Sequence, residues 1–206
     1  MNPPVTALHR ADAISTYCHH ATDIADLAAI FEPDVQICCL HRSPSAALTQ
    51  AIDAHPASAW SPFRDTVSLT TSRTIAWGPH VLPAVRQDIQ WLLEIYGDLI
   101  GCDAIGIRFE VLSAAMCPGF HVDQCGIRLI CTYRGPGTEW TLPGSRGWSA
   151  TAAPASVEQA TAFSIVLVKG GLWQGNAGRG GIHRSPDLAA GDPPRLLLTL
   201  DALWNA

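Results

Sequence analysis

The chain has 206 residues, 48% of them hydrophobic and 15% charged, with a formal net charge of −5. That length leaves room for a buried core, and that composition excludes a disordered chain. The acidic balance argues against a general nucleic-acid binder, and no apolar run approaches the roughly 20 residues of a membrane-spanning helix.

Residues 1–10 read as a loose arm. Ala11 to Phe31, rich in Ala, Leu and Ile, reads as a helix with Asp12 or Ser15 as its cap. Val35 to Leu40 (VQICCL) is a short apolar run of strand length, and Ala46 to Ala54 is a second helix. Ser61 to Ser72 is polar and has no clear assignment. Pro83 suits the first turn of a third helix, which runs to about Tyr96 with Ile89, Leu92, Leu93 and Tyr96 on one face. After Gly101 the period changes. Ile105 to Leu112, Phe120 to Asp123, Ile127 to Tyr133, Phe163 to Val168, Gly181 to Arg184 and Arg195 to Leu200 are short strand-like runs, separated by Gly, Pro and Ser. Ala150 to Ala160, small and polar, reads as a surface loop. Many short strands between turns suggest a sandwich, jelly roll or barrel. The expected organisation is a single α+β domain over 1–206, in which a mainly helical part (1–100) packs on a β-rich metal-binding core (101–206).

Seven cysteines, an odd number without a CxxC pair, fit reduced thiols better than a disulfide framework. With no charged and apolar leader after Met1, the expected location is the cytoplasm, with no membrane partner.

The motif that carries chemistry is His121-Val122-Asp123. Residues i and i+2 of a strand share a face, so an imidazole and a carboxylate project side by side and can bind one ion. His183, beyond an apolar strand and a Gly-rich turn, is the best third ligand. Two histidines and one carboxylate leave half of the coordination sphere open, which is the facial triad of non-haem iron(II) oxygenases. Arg195 opens the next apolar strand, and an Arg pointing into an apolar interior needs an anionic partner. Parity places Leu197 and Thr199 on its side of the strand. Arg128 and Tyr133, after the HVD motif, are candidates to line a cofactor pocket. Glu139-Trp140, after a Gly-Pro-Gly turn, is a candidate lid or substrate wall. Cys117 and Cys125 flank the HVD motif and could add a soft ligand favouring zinc.

The stretches CPGFHVDQCGIRLICTYRGPGTEW, GIHRSP and RLLLTLDAL, with IADLAAIFEPDVQICCLHR earlier, resemble the bacterial domain of unknown function 1826. More distantly, the order HxD, a later His and an Arg at the head of a strand is similar to 2-oxoglutarate-dependent oxygenases. HRSPDLAAGDPPRLLLTL looks like the distal-ligand region of the phytanoyl-CoA and prolyl hydroxylase type. That resemblance implies a double-stranded β-helix (jelly-roll, cupin-like) core with His121, Asp123 and His183 as Fe(II) ligands. It also implies 2-oxoglutarate as cosubstrate, its distal carboxylate on Arg195. RLLLTLD is also similar to the closing strand of AlkB-like demethylases. Those carry a second Arg where this chain has Asp201, which argues against a nucleobase substrate. The expected partner is a small molecule or peptide. The alternative function is a non-catalytic cupin-like zinc binder using the same three residues with Cys117 or Cys125 as a fourth ligand.

Overall fold

The computed structural model describes residues 17–70, 75, 77, 81–143 and 156–204. The expected arm at 1–10, the expected helix up to residue 16 and most of the expected loop at 150–160 lie outside the described residues. So do residues 71 and 72 of the polar stretch.

Ten strands are described: β1 (Cys18–Ala21), β2 (Ile37–Leu40), β3 (Phe63–Ser68), β4 (Ala104–Leu112), β5 (Ile127–Arg134), β6 (Glu139–Thr141), β7 (Val157–Gln159), β8 (Ile165–Lys169), β9 (His183–Arg184) and β10 (Arg195–Leu203). Seven of them form one sheet in the order β1-β2-β8-β5-β10-β4-β3, and three form a second in the order β7-β6-β9. Neighbours pair antiparallel throughout, except β1 with β2.

Parity of side chains sorts the large sheet into two faces. Ile105, Ile107 and Phe109 of β4, Ile127, Leu129, Cys131 and Tyr133 of β5, and Leu196, Leu198 and Leu200 of β10 turn to one face and join the main apolar cluster. Two helices cover that face: α1 (Ala46–Ala54) and α2 (Pro83–Ile100). Ser45 caps α1 by accepting from the Leu48 N–H. Helix α2 starts with Pro83 in its first turn and stops at Gly101, whose φ of 67° lets its N–H turn back to Gly97 O. It buries Val85, Ile89, Leu92, Leu93 and Tyr96 against the sheet. The opposite face carries Ile130, Val166, Val168 and Leu197, and these pack on Trp140 of the second sheet and on Ile182, just before β9. The core is therefore a two-sheet jelly roll with helices on its outside.

The N-terminal region packs helices on the core as expected, and it contributes more than helices. Its described part carries α1, α2 and short 3₁₀ turns at Ala25–Phe31 and Ala57–Ala59, and it also supplies three strands of the large sheet. Cys18–Ala21, expected as helix, is an edge strand in register with β2, His20 opposite Cys39. Phe63–Ser68, within the polar stretch that lacked an assignment, is the other edge, paired with β4. Both edges are read poorly from sequence because a short edge strand buries only part of itself, and neighbouring strands decide its conformation. Among the described residues no helix is long and apolar enough to cross a membrane.

Candidate metal centre and cavity

His121 and His183 face each other across a single antiparallel bridge. The His121 N–H donates to His183 O and the His183 N–H to His121 O, both at 3.0 Å. Such a directly opposed pair puts its two side chains on one face, and the imidazole centroids are 4.5 Å apart. Val122 occupies the opposite face, so Asp123 returns to the side of His121. Its Oδ1 lies 3.4 Å from His121 Nε2 and its Oδ2 3.4 Å from His183 Nε2. The three ligand atoms lie within 4.8 Å of one another.

Ring orientation is set by the backbone. His121 Nδ1 lies 3.0 Å from Gly119 O, and His183 Nδ1 lies 2.9 Å from Gly181 O. A carbonyl can only accept, so each Nδ1 carries a proton and each Nε2 is aimed at Asp123: a proton on Nε2 is donated to the carboxylate, and its loss leaves a lone pair for an ion. Metal-binding histidines are held this way. Burial opposes ionisation of Asp123. The hydrogen bonds from His121 and His183 and the charge of Arg128 outweigh it and hold the carboxyl well below the usual range. The same contact with Asp123 raises the pKa of His121.

Two glycines bring these segments together. The backbone N–H of Gly170, at the end of β8, donates to Gly126 O, and that of Gly171 donates to Asp123 O. A Cβ at Gly170 would collide with the carbonyl of Cys125 and lie 2.8 Å from that of Asp123. A Cβ at Gly181 would meet Val168 at 2.7 Å and Gln36 O at 2.8 Å, distances that side chains do not tolerate.

The triad opens into a cavity of about 140 Å³ whose walls include Thr138 and the inward-facing residues of β4, β5 and β10: Arg108, Arg128, Ile130, Arg195, Leu197 and Thr199. Met116, Cys117, Arg184 and Ser185 also line it. Four arginines thus surround one cavity, and three are matched by carboxylates. Arg128 donates from Nη1 to Asp123 Oδ2 at 2.6 Å and grips Asp201, its cross-strand neighbour, from Nε and Nη2 at 2.7 and 3.0 Å. Arg108 also reaches Asp201, at 3.0 Å. Arg184 pairs with Glu139 at 2.6 Å. Arg195 is different. It is 2% exposed, its Nη2 donates to the hydroxyls of Thr132 and Thr138, and its Nε has no acceptor among the described residues. Thr199 Oγ1, on the same strand and the same face, is also buried without a partner among the described residues. Burial brings the Arg195 pKa down to about 10, so the guanidinium stays charged at neutral pH. A buried cation with an idle donor, in the same cavity as an idle hydroxyl, fits a carboxylate taken from outside the chain.

Other expected site residues are placed elsewhere. Tyr133 lies on the helix-facing side of β5, and its hydroxyl donates to Asp88, which also receives Arg42. It does not line the cavity, because an odd position on this strand points away from it. Trp140 is not a lid. It is 1% exposed and packs between the sheets from the middle of β6. Glu139 bears on the cavity through Arg184, which it holds, and it also accepts from Gln159. Arg128 does line the cavity, yet its partners are Asp123 and Asp201. Neither Cys117 nor Cys125 belongs to the ligand group, so a closed site with a cysteine finds no support in the geometry. Sequence reasoning missed Arg108, Arg184, Thr132 and Thr138. The first of these had a signal, an Arg inside the alternating strand IGIRFEVL.

A family model described as a protein of unknown function, DUF1826, matches residues 21–201. No curated protein matches the chain by sequence. Among solved structures, a prolyl-4-hydroxylase from Pseudomonas putida matches with a TM-score of 0.51 at 12% identity, over 89% of this chain and 100% of that one. A rice dioxygenase for auxin oxidation matches with a TM-score of 0.46 at 12% identity, over 87% and 78% of the two chains. A full-length Neurospora crassa protein in complex with alpha-KG gives 0.47 at 11% identity, over 88% and 80%. The likeness to the hydroxylase is one of fold.

Proposed function

The chain belongs to the DUF1826 family of proteins of unknown function, and we propose that it is an iron(II)- and 2-oxoglutarate-dependent oxygenase of the hydroxylase type. The observation that carries the proposal is the mismatch among the four cavity arginines. Among the described residues three have carboxylates of the chain, whereas Arg195 is buried with an idle Nε in the same cavity as the His-Asp-His cluster.

In this reading His121 and His183 hold the ion through Nε2, and Asp123 holds it through a carboxylate oxygen. Arg195 receives the distal carboxylate of 2-oxoglutarate in a charge-assisted contact, with Thr199 Oγ1 as a further donor. Bound together, iron and cosubstrate supply the oxidising chemistry: O₂ is consumed, 2-oxoglutarate loses CO₂ to leave succinate, and a substrate C–H becomes C–OH. The chain supplies position and charge. The Nδ1 contacts fix both rings, Arg128 keeps Asp123 ionised and directed, and Ile130 and Leu197 give the cavity an apolar wall. The substrate is a small molecule or a peptide segment, taken on the side of the cavity where Met116 and Cys117 are exposed.

Anaerobic addition of Fe(II) and then 2-oxoglutarate to the metal-free protein tests this directly. The expected result is a weak visible charge-transfer band in the wild type that is absent from Asp123→Ala. A wild type that binds Fe(II) but develops no band, and shows no affinity for 2-oxoglutarate by calorimetry, removes the oxygenase reading and leaves a metal-binding jelly roll.

A further inference from the structure

We propose that Cys18, His20 and Glu158 form a second divalent-metal site, suited to zinc, that ties the outer edge of the seven-stranded sheet to the outer edge of the three-stranded one. The site is separate from the His121 cluster and does not depend on the oxygenase reading.

Cys18 and His20 stand at i and i+2 of β1, an edge strand, so they share a face. That face turns toward the second sheet, because Cys18 belongs to the apolar cluster between the sheets. Glu158 is the central residue of β7, the edge of the second sheet, directly opposite Trp140 of β6. His20 Nε2 lies 3.8 Å from Cys18 Sγ and 3.1 Å from Glu158 Oε2, and all three ligand atoms lie within 4.8 Å of one another. Zinc bonds of 2.0–2.3 Å in a tetrahedron put neighbouring ligand atoms roughly 3.3–3.8 Å apart. The observed separations need only small rotations of two side chains to meet that spacing.

The donor set is also selective. Thiolate, imidazole and carboxylate together suit zinc, whereas magnesium and calcium want oxygen alone. Cys18 is buried, while the side chains of His20 and Glu158 are 50% and 35% exposed. One side of the triangle is therefore open, giving the ion a path in and a water its fourth position. A thiol 2% exposed is poorly placed as a nucleophile toward substrates from solution. The step is a substitution without redox change. The Cys18 proton leaves to solvent as the sulfur–zinc bond forms. Across this junction the side chains offer an exposed His20–Glu158 pair, a weak tie by itself, and a metal replaces it with three bonds.

The test uses the full chain carrying Asp123→Ala, which disables the first cluster. That protein is expected to bind one zinc per chain and to raise its thermal midpoint on zinc addition. With Co(II) in place of zinc it should develop a near-ultraviolet thiolate charge-transfer band. Adding Cys18→Ser or Glu158→Gln should weaken zinc at least tenfold. The Glu158 change is partly exposed and nearly isosteric, so it keeps the fold and guards against a misfolded Cys18 variant. The proposal is overturned if the Asp123→Ala protein takes up no zinc, if bound Co(II) shows no thiolate band, or if the ion survives both added substitutions.

Discussion

The two faces of the seven-stranded sheet are built from the same strands and behave as different materials. In β10, Leu196, Leu198 and Leu200 enter the cluster under the helices, while Arg195, Leu197 and Thr199 line the cavity. In β5, Ile127, Leu129 and Cys131 go one way, and Arg128, Ile130 and Thr132 the other. The helix side stores stability in apolar burial. The cavity side brings three arginines, and β9 of the second sheet adds Arg184 to the same small space, a costly arrangement unless each finds an anion. A one-residue register slip would exchange the faces, so each face depends on the other to stay in place.

The widest break in this comparison comes from removing the helical cover. A chain starting at Gly101 loses α2 with its buried Val85, Ile89, Leu92, Leu93 and Tyr96, along with three strands of the large sheet. We expect no cooperative unfolding transition from that fragment by circular dichroism. A stable proteolytic fragment beginning there would contradict the interleaved architecture.

Single substitutions then separate the faces. Leu198→Ala, on the helix side and 0% exposed, should cost about 2–5 kcal/mol in denaturant titration and leave metal stoichiometry unchanged. Arg195→Leu, one face over, should do the reverse. Its stability should hold or rise, because an unmatched buried charge is removed. Affinity for 2-oxoglutarate should fall by about 2–4 kcal/mol, roughly 30- to 1000-fold, in calorimetric titration. Equal binding by wild type and variant would show that the guanidinium does not serve the cosubstrate.

The smallest effect belongs to Tyr133→Phe. It removes one hydrogen bond to Asp88, which keeps both contacts with Arg42. About 1 kcal/mol of stability should be lost, and 2-oxoglutarate affinity should match the wild type. A change in that affinity would mean that the helix side communicates with the cavity.

What could be read in the sequence follows from this division. Helix α1 is read with its bounds, the start and apolar face of α2 show in Pro83 and the spacing of Ile89, Leu92, Leu93 and Tyr96, and the central strands show in alternation, because local pattern and burial agree there. The convergence of His121, Asp123 and His183 was accessible through i, i+2 parity and chain order. Its mechanism, the paired His121–His183 bridge, was not, because cross-strand register is a long-range property. The same limit hid the role of Arg128. Its position after HVD suggested a pocket wall, but only the pairing of β5 with β10 sets Asp201 opposite it. Cys18–Ala21 falls inside a stretch whose Ala, Leu and Ile content reads as helix, and only pairing with β2 makes it a strand. Tyr133 and Trp140 were attractive as functional residues because they are polar-tipped aromatics near the motif. Parity and interior packing claim them instead.

The glycines at 170 and 181 set a condition on how this chain can vary. Neither offers a functional group, yet each is where the main chain of one ligand segment rests on its neighbour with no room for a methyl. In a saturation library selected for metal retention, Gly181 should tolerate as few replacements as His183 itself. Gly181→Ala would push the chain leading into His183 away from Val168 by a fraction of a bond length, and His183 Nδ1 would lose its fixed acceptor on Gly181. A screen reading only soluble expression would pass many such variants. The divergence between the two selections would locate the ligand-bearing segments by their backbone alone, without mutating a single ligand.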